Sequence, residues 1–247
     1  MIELLLVGIG TGNPEHLTLQ AIRALNSADL ILIPRKGADK ADLADLRRSI
    51  CAEVVTNSAT RIVEFDLPRR DRTNTDYRRG VDDWHDAIAR VWSATIESEL
   101  AGGGSVAFLV WGDPTLYDST LRMASRLQPV PNVRVIPGIT SIQALTASHA
   151  IPLNEIGAPF LVTIGRLLRE TGWPACADTL VVMLDGECAF QHLASAGVTI
   201  WWGAYLGLTS EIILRGPLAE MAPLILKARA EAREKIGWIM DVYVLKR

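Results

Sequence analysis

The sequence predicts an α/β fold of two domains, the first built on a mainly parallel sheet and the second on a mixed sheet. The chain opens β-α-β, with buried apolar runs at 2–7 and 30–33 on either side of a helical pattern, which is typical of a parallel sheet. After Gly138 the apolar runs become longer and helices become fewer. We therefore place the domain boundary there, with an N-terminal domain at 1–138 and a C-terminal domain at 139–247.

Apolar periodicity predicts the elements of the first domain in order. Apolar residues recurring every three or four positions indicate a long amphipathic helix, and three consecutive glycines at 102–104 end it. The charged segment at 66–80 is predicted to be largely loop. The predicted strands are 2–7, 30–33, 61–65, 106–110 and 132–136. A first helix is predicted to begin at Asn13-Pro14, and further helices are predicted at about 42–52, 74–100 and 117–127.

The elements of the second domain are predicted from the same apolar periodicity. Its apolar runs indicate strands at 159–165, 179–184, 198–203, 211–215 and 238–246. Helical patterns fall near 187–196 and 218–235. Because these strands are not regularly separated by helices, we expect a mixed sheet.

Composition narrows the class of protein. The chain has 247 residues, of which 49 % are hydrophobic and 21 % charged, as in ordinary globular enzymes. A net charge of −3 gives no support to sequence-independent nucleic-acid binding. No apolar run approaches the roughly 20 residues that span a bilayer, so no membrane partner is expected. Three widely spaced cysteines, none in a CxxC pair, favour a reducing cytoplasm and predict neither a disulfide framework nor a metal site.

Three short Gly/Pro motifs predict where a ligand binds. They are residues 7–14 (Val-Gly-Ile-Gly-Thr-Gly-Asn-Pro), 111–117 (Trp-Gly-Asp-Pro-Thr-Leu-Tyr) and 136–141 (Ile-Pro-Gly-Ile-Thr-Ser). Each follows an apolar run and precedes a helical pattern, so each lies at the carboxyl end of a predicted strand. Ligands of open α/β sheets bind outside those strand ends. The motifs therefore predict a single cleft whose floor is mostly backbone.

The first motif alone leaves two other interpretations open. A nicotinamide dinucleotide fold carries a third fingerprint glycine where this chain has Asn13, and an acidic residue after the second strand where this chain has Pro34-Arg35-Lys36. An NADP-dependent reductase is thus disfavoured, and only Arg35 facing a phosphate would support it. A tight turn without any ligand is the other alternative. Likewise, Asp113 could bind a ligand or only cap the following helix.

Taken together, in this order and spacing, the three motifs resemble those of the tetrapyrrole methyltransferases, the S-adenosylmethionine-dependent enzymes of corrin and sirohaem synthesis. Asn13 stands where that family usually has Asp. The resemblance implies two α/β domains with the cofactor in a folded conformation in a cleft between them, a homodimer, and S-adenosylhomocysteine as product. The cofactor-binding residues it implies are Thr11, Gly112, Asp113, Leu116, Thr140, Ser141, Met183, Leu184, Ala204, Tyr205 and Leu206.

Longer strings at 110–122, 182–186, 202–207 and 237–241 resemble one branch of that family. The resemblance implies methylation of a corrin precursor at ring carbon C1, with release of an acetyl group as acetate. Acetyl loss adds water to a carbonyl, which a general acid or base can assist. The candidate catalytic residues are Asp113, Tyr117 and Asp185, followed by Glu187 and Tyr205. A structural role as a cap or backbone anchor is as well supported for each.

The tetrapyrrole substrate carries many carboxylates, so basic groups are expected near it. Arg35, Lys36, Arg166 and Arg169 follow strand ends and are the candidate substrate-binding residues. The charged cluster at 69–79 is interpreted as solvated surface rather than a lid. Alternatives within reach are a methyltransferase for another corrin carbon or for uroporphyrinogen, and a non-catalytic S-adenosylmethionine or corrinoid binder.

Overall fold

The structure is a computed structural model, and it describes residues 1–35, 41–68 and 77–247. The chain divides into two compact units, Met1–Thr140 and Ser141–Arg247. Each unit is built on one five-stranded sheet.

The first unit contains a fully parallel sheet with strand order β3-β2-β4-β1-β5. This confirms the predicted parallel sheet. Its elements are β1 (Ile2–Gly8), a 3₁₀ turn (Pro14–His16), α1 (Leu19–Ser27), β2 (Leu30–Arg35), α2 (Ala41–Val54), β3 (Arg61–Asp66), α3 (Tyr77–Glu99), β4 (Gly104–Val110), α4 (Thr120–Ala124) and β5 (Asn132–Ile136).

Strand β1 shows why the strands of the parallel sheet appear in the sequence as continuous apolar runs. Alternate side chains point to opposite faces of a strand. Leu5 and Val7 pack with α1 and α2 on one face, whereas Leu4 and Leu6 pack with α3 and α4 on the other. Both faces are covered by helices, so every position along the strand centre is buried.

Two predicted helices of this unit are shorter than expected. Asn13-Pro14 begins only the 3₁₀ turn, and α1 begins at Leu19, where the Thr18 hydroxyl accepts the Ala21 amide at 3.0 Å. Helix α4 covers Thr120–Ala124 instead of 117–127, because Tyr117 adopts a left-handed backbone with φ of 51°. The prediction of a loop at 69–76, and of helix before residue 77, lies outside the described residues.

The second unit contains the predicted mixed sheet, in the order β6-β7-β10-β8-β9. Only β6 and β7 are parallel, and the other three pairs are antiparallel. Its elements are α5 (Ser141–His149), β6 (Phe160–Ile164), α6 (Gly165–Thr171), β7 (Thr179–Met183), a 3₁₀ turn (Ala189–His192), β8 (Thr199–Ala204), β9 (Ile212–Pro217), α7 (Leu218–Ile236) and β10 (Asp241–Lys246).

The core of the second unit lies between this sheet and α7, with Val182, Trp202 and Tyr243 among its buried side chains. The helix predicted near 187–196 is wrong: only a 3₁₀ turn forms, directly after Cys188, whose φ of 57° is left-handed. Within the described residues, no helix combines the length and the apolar character needed to cross a membrane.

Candidate functional site

The three Gly/Pro loops of the first unit meet at the carboxyl edge of its sheet. The Ile9 amide donates to the Val110 carbonyl at 2.9 Å. Gly10 and Gly112 form an isolated antiparallel bridge, with N···O distances of 3.3 and 2.7 Å. The first and second loops are therefore joined through backbone hydrogen bonds, and the cleft floor expected here stays a prediction.

Close backbone contact explains why glycines stand at this junction. A Cβ added to Gly138 would lie 2.1 Å from the Gly112 carbonyl oxygen, and one added to Gly8 would lie 2.6 Å from the Gly138 nitrogen. Real side chains do not tolerate such distances. Gly8 of the first motif and Gly138 of the third are thus required by the close packing of the loops.

Asp113 ties the second loop to the third. Its Oδ1 accepts the Thr115 amide at 2.8 Å and the Thr115 hydroxyl, and its Oδ2 accepts the Gly138 amide at 3.0 Å. Partial burial would raise the pKa of Asp113, but these hydrogen bonds outweigh it and the pKa is lowered. The carboxylate is ionised at neutral pH, and no described cation forms an ion pair with it.

The other predicted residues of this unit lie around the same junction. Thr11 is buried, and its hydroxyl is 2.9 Å from His16 Nδ1. Leu116 is half-buried, with its amide donating to the Asp113 carbonyl at 3.2 Å, and Thr140 ends the unit. Tyr117 is 47 % exposed, and desolvation raises the pKa of its phenol. It therefore stays protonated at neutral pH and can donate a hydrogen bond.

In the second unit, the predicted residues form two turns at one edge of the mixed sheet. Strands β7 and β8 both pair antiparallel with β10, so both end at the same edge. Met183 and Leu184 follow one strand, and the turn at 204–206 follows the other. Leu184 and Tyr205 both have left-handed backbones, with φ of 51° and 52°. Leu184 is 65 % exposed.

Ser141 opens α5 of this unit and is half-buried. Tyr205 is buried, and its hydroxyl donates to the Trp238 carbonyl. Desolvation, with a smaller contribution from Asp241, raises the pKa of Tyr205. Its phenol therefore anchors the turn and is not poised as a base.

Asp185 is a buried anchor of its own loop. Its Oδ2 accepts the Ala189 amide at 2.5 Å and the Tyr243 hydroxyl at 2.6 Å, while its Oδ1 lies 3.5 Å from Arg169. Its side chain is only 3 % exposed. Of the two interpretations that the sequence allowed, this geometry favours the structural one.

Arg229, on α7, also holds the loop of Asp185 in place. Its guanidinium binds both oxygens of Asp241 at 2.8 and 3.1 Å and the carbonyl of Asp185 at 2.9 Å. It also contacts Cys188 Sγ at 2.7 Å. Burial alone would lower the pKa of Arg229, but the Asp241 carboxylate reverses the shift and raises it. The loop after β7 is thus fixed to a helix and to the central strand.

The predicted basic residues are engaged within their own units. Arg35 lies 3.7 Å from Glu64 and 3.0 Å from Asp66, and Lys36 lies outside the described residues. Arg166 pairs with Glu170 one helical turn away. Arg169 pairs with Asp185 and, at 3.1 Å, with Glu187. A substrate role for these residues stays a prediction.

Sequence reasoning missed Arg47, which is 9 % exposed on α2. It lines a cavity of about 270 Å³ at the carboxyl ends of β2, β3 and β4 in the first unit. The available signal was its spacing, because Leu43, Arg47 and Ile50 lie on one face of the helix. No group of three or more His, Cys, Asp or Glu in the described ranges is arranged to hold a metal ion.

Comparison with known proteins assigns the class. The chain belongs to the tetrapyrrole (corrin/porphyrin) methylases, whose family model matches residues 3–222. The predicted family is therefore confirmed, and the reductase alternative is excluded.

The chain is 52 % identical over 251 residues to the precorrin-6A synthase (deacetylating) of Sinorhizobium sp, covering 100 % of this chain and 96 % of that protein. A Corynebacterium diphtheriae crystal structure described as cobalamin synthesis related (CobF) superposes with a TM-score of 0.84 at 38 % identity, covering 100 % and 99 % of the two chains. The uroporphyrin-III C-methyltransferase of Thermus thermophilus, complexed with S-adenyl homocysteine, shares the fold, with a TM-score of 0.58 at 20 % identity over 99 % and 97 %.

Proposed function

We propose that this chain is an S-adenosylmethionine-dependent C-methyltransferase that converts precorrin-5 to precorrin-6A, adding a methyl group at C1 and releasing acetate. The observation that carries the proposal is the 52 % identity with the Sinorhizobium precorrin-6A synthase (deacetylating), which extends over the whole of this chain. A partial match would support only the family.

The residues of the chain fit a sulfonium cofactor. Asp113 is ionised, and its charge is offset by hydrogen-bond dipoles and by no ion pair with a described residue. An ionised carboxylate without an ion-pair partner, beside loops joined through backbone hydrogen bonds, favours a cationic ligand. When bound, S-adenosylmethionine supplies an activated methyl group. The chain's contribution is then to align the acceptor carbon and exclude water, for which effective molarities of order 10⁵ M or more are attainable.

For acetyl release, we propose distinct roles for the three candidate carboxyl and phenol groups. Tyr117 is partly exposed and protonated, so it can donate a hydrogen bond to the acyl carbonyl that water attacks. Asp113 is a positioning residue, because both of its oxygens hold loop groups. Asp185 is buried behind Tyr243 and Arg169, which supports an anchoring role over contact with substrate.

We further propose that the enzyme acts as a homodimer in the cytoplasm, with its cofactor and tetrapyrrole held by the residues predicted above. This part rests on the family and on the sparse, unpaired cysteines. Analytical ultracentrifugation of the purified chain tests the dimer directly.

The deciding experiment is an anaerobic incubation with S-adenosylmethionine and enzymatically generated precorrin-5, followed by mass spectrometry of the tetrapyrrole and quantitation of acetate. We expect methyl gain with stoichiometric acetate. Methyl gain without acetate would move the chain to another branch of the family. Cofactor binding without turnover on any tetrapyrrole would instead support a non-catalytic binder.

A further inference from the structure

The cavity beside Arg47 is lined mostly by apolar side chains. Trp84, Trp92 and Trp111 contribute aromatic surface to it, and the side chains at 117–120, including the Asp118 carboxylate, add polar groups. Among the described lining residues, Arg47 supplies the only positive charge. Its volume far exceeds the roughly 30 Å³ that one water takes up in the liquid, so it has room for a small organic group.

The guanidinium of Arg47 is held rigidly with one edge uncommitted. Its Nε donates to the Leu109 carbonyl and its Nη1 to the Leu43 carbonyl, both at 3.1 Å. The carbon of the guanidinium lies 5.3 Å from the centre of the Trp111 ring. Its Nη2 donates to no group in the described part of the chain. A guanidinium fixed in this way is preorganised for an acceptor approaching its free edge.

The charge on Arg47 is only partly compensated. Burial lowers the pKa of Arg47 to about 10, although attraction to Asp118 opposes this shift. Asp118 does not approach within ion-pair distance, and its Oδ1 accepts the Thr120 amide at 2.6 Å. The indole N–H groups of Trp92 and Trp111 are also buried, with no acceptor among the described residues. Buried donors are ordinarily paired, so Arg47 Nη2 and these two indole groups lack an acceptor in the described part of the chain.

We propose that this cavity is a carboxylate-binding site, with Arg47 as its anchor and the tryptophan walls receiving the attached methyl or methylene groups. The proposal rests on the proposed function, which provides two sources of such a group. One is a carboxylate side arm of the tetrapyrrole, and the other is the acetate that the reaction releases. The shared chemistry is a carboxylate on a short alkyl chain.

The test uses the full-length enzyme and ¹³C-labelled acetate, whose binding is followed by NMR line broadening at constant ionic strength set with chloride. We expect Arg47→Met to weaken acetate binding about 10- to 100-fold, the range for losing a charge-assisted hydrogen-bond donor. Arg134→Met is the matched control, since Arg134 is exposed and pairs with Glu3 on the other side of the sheet order. The control should bind acetate as the parent enzyme does.

A second variant guards against misfolding of Arg47→Met. Ser119 lines the cavity and precedes α4 without capping it through its side chain, so Ser119→Leu adds apolar volume while keeping the guanidinium. It should also abolish acetate binding. Acetate affinity that is unchanged in Ser119→Leu, or equal in Arg47→Met and Arg134→Met, would overturn the proposal.

Uroporphyrin, a tetrapyrrole whose side arms end in carboxylates, separates the two sources. Displacement of acetate by saturating uroporphyrin would support a side-arm site, and simultaneous binding would support a site for released acetate. Acetate binding is measured without turnover, so the two proposals can fail separately. If acetate binding depends on Arg47 but precorrin-5 is not converted, only the proposed function is overturned. Turnover together with Arg47-independent acetate binding overturns only the present inference.

Discussion

The loop of Asp113 (residues 111–117) and the loop of Asp185 (residues 184–189) are alike in sequence position and opposite in environment. Each follows a buried strand and has an Asp whose carboxylate accepts the amide two residues onward, at 2.8 Å from Thr115 and 3.3 Å from Glu187. Asp113 is half-buried and held by dipoles. Asp185 is buried and is held by a phenol, two amides and a guanidinium.

This difference shows that two carboxylates at similar positions after a strand can have opposite electrostatic surroundings. An ionised group balanced only by dipoles keeps a field that a cationic ligand can use. A carboxylate enclosed by Arg169 and Tyr243 has its charge neutralised locally and its lone pairs occupied. The Asp113 carboxylate thus has no charged partner among the described residues, whereas the Asp185 carboxylate fixes its loop to the rest of the second unit.

The largest expected effect comes from Gly138→Ala in the first unit. Its Cβ would lie 2.1 Å from a backbone oxygen that no side-chain rotation can move, so we expect a loss of about 3 kcal/mol or more in unfolding free energy and loss of S-adenosylmethionine binding. Denaturant titration and calorimetric cofactor titration measure the two effects. Gly186→Ala, in the loop of Asp185, is the control, because nothing lies within 4 Å of its added Cβ. Equal behaviour of the two variants would contradict the described loop junction.

Asp185→Asn should cost about 2 to 3 kcal/mol of stability, because it removes a charged acceptor from the Tyr243 hydroxyl and the Ala189 amide. Urea denaturation gives the value. Precorrin-5 turnover per folded molecule should stay within a few-fold of the parent. A variant of full stability with abolished turnover would reverse the assignment of Asp185 as an anchor.

Asp113→Asn should lower the free energy of unfolding by about 1 to 2 kcal/mol, which is less than for Asp185→Asn, but it should reduce turnover more. The pKa of Asp113 is lowered in the folded chain, so its stabilisation is present above the unfolded pKa of about 3.9 and is lost as pH falls through the folded pKa. The stability difference between parent and variant should therefore shrink below about pH 4. Asp83→Asn, exposed on α3, provides the reference curve. A difference that is constant with pH would contradict the described hydrogen bonds.

The smallest expected changes in stability come from substituting two arginines on α6. Arg169→Gln removes a pairing with buried Asp185 and should cost about 1 kcal/mol, whereas Arg166→Gln removes an exposed pair four residues apart worth about 0.4 kcal/mol. Thermal denaturation of both variants measures the contrast. If either variant instead raised the KM for precorrin-5 severalfold at unchanged stability, the predicted substrate contact would be supported over the structural one.

The architecture was largely predictable, because a strand that is buried on both faces of its sheet has a continuous apolar run in the sequence. The strands of both units lie within a few residues of their predicted positions. One failure lies at Asn13-Pro14, where only a 3₁₀ turn begins. The others lie at Tyr117 and Cys188, where non-glycine residues adopt left-handed backbones and interrupt helices that the apolar pattern predicts. Backbone amides that donate to the carboxylates of Asp118 and Asp185 stabilise those turns, and local propensity does not encode these hydrogen bonds.

For the candidate site, the sequence predicted which loops face the strand ends but not their contacts. The fit of Gly138 against Gly112 depends on the spacing of β4 and β5, which are consecutive in sequence but separated in the sheet by β1. Arg47 escaped for a related reason: its burial arises from the packing of α2 against the end of β4. Charge on a helix face is ordinarily solvated, so only the tertiary structure distinguishes this arginine from its neighbours.

The central position of β10 has a consequence for the order in which the second unit is assembled during synthesis. The pairs β6–β7 and β8–β9 join segments near in sequence, but β7 and β8 are bridged only through residues 241–246. The nascent chain therefore holds two half-sheets with open edges until that strand emerges. Such edges are sites of mispairing until β10 pairs with both β7 and β8.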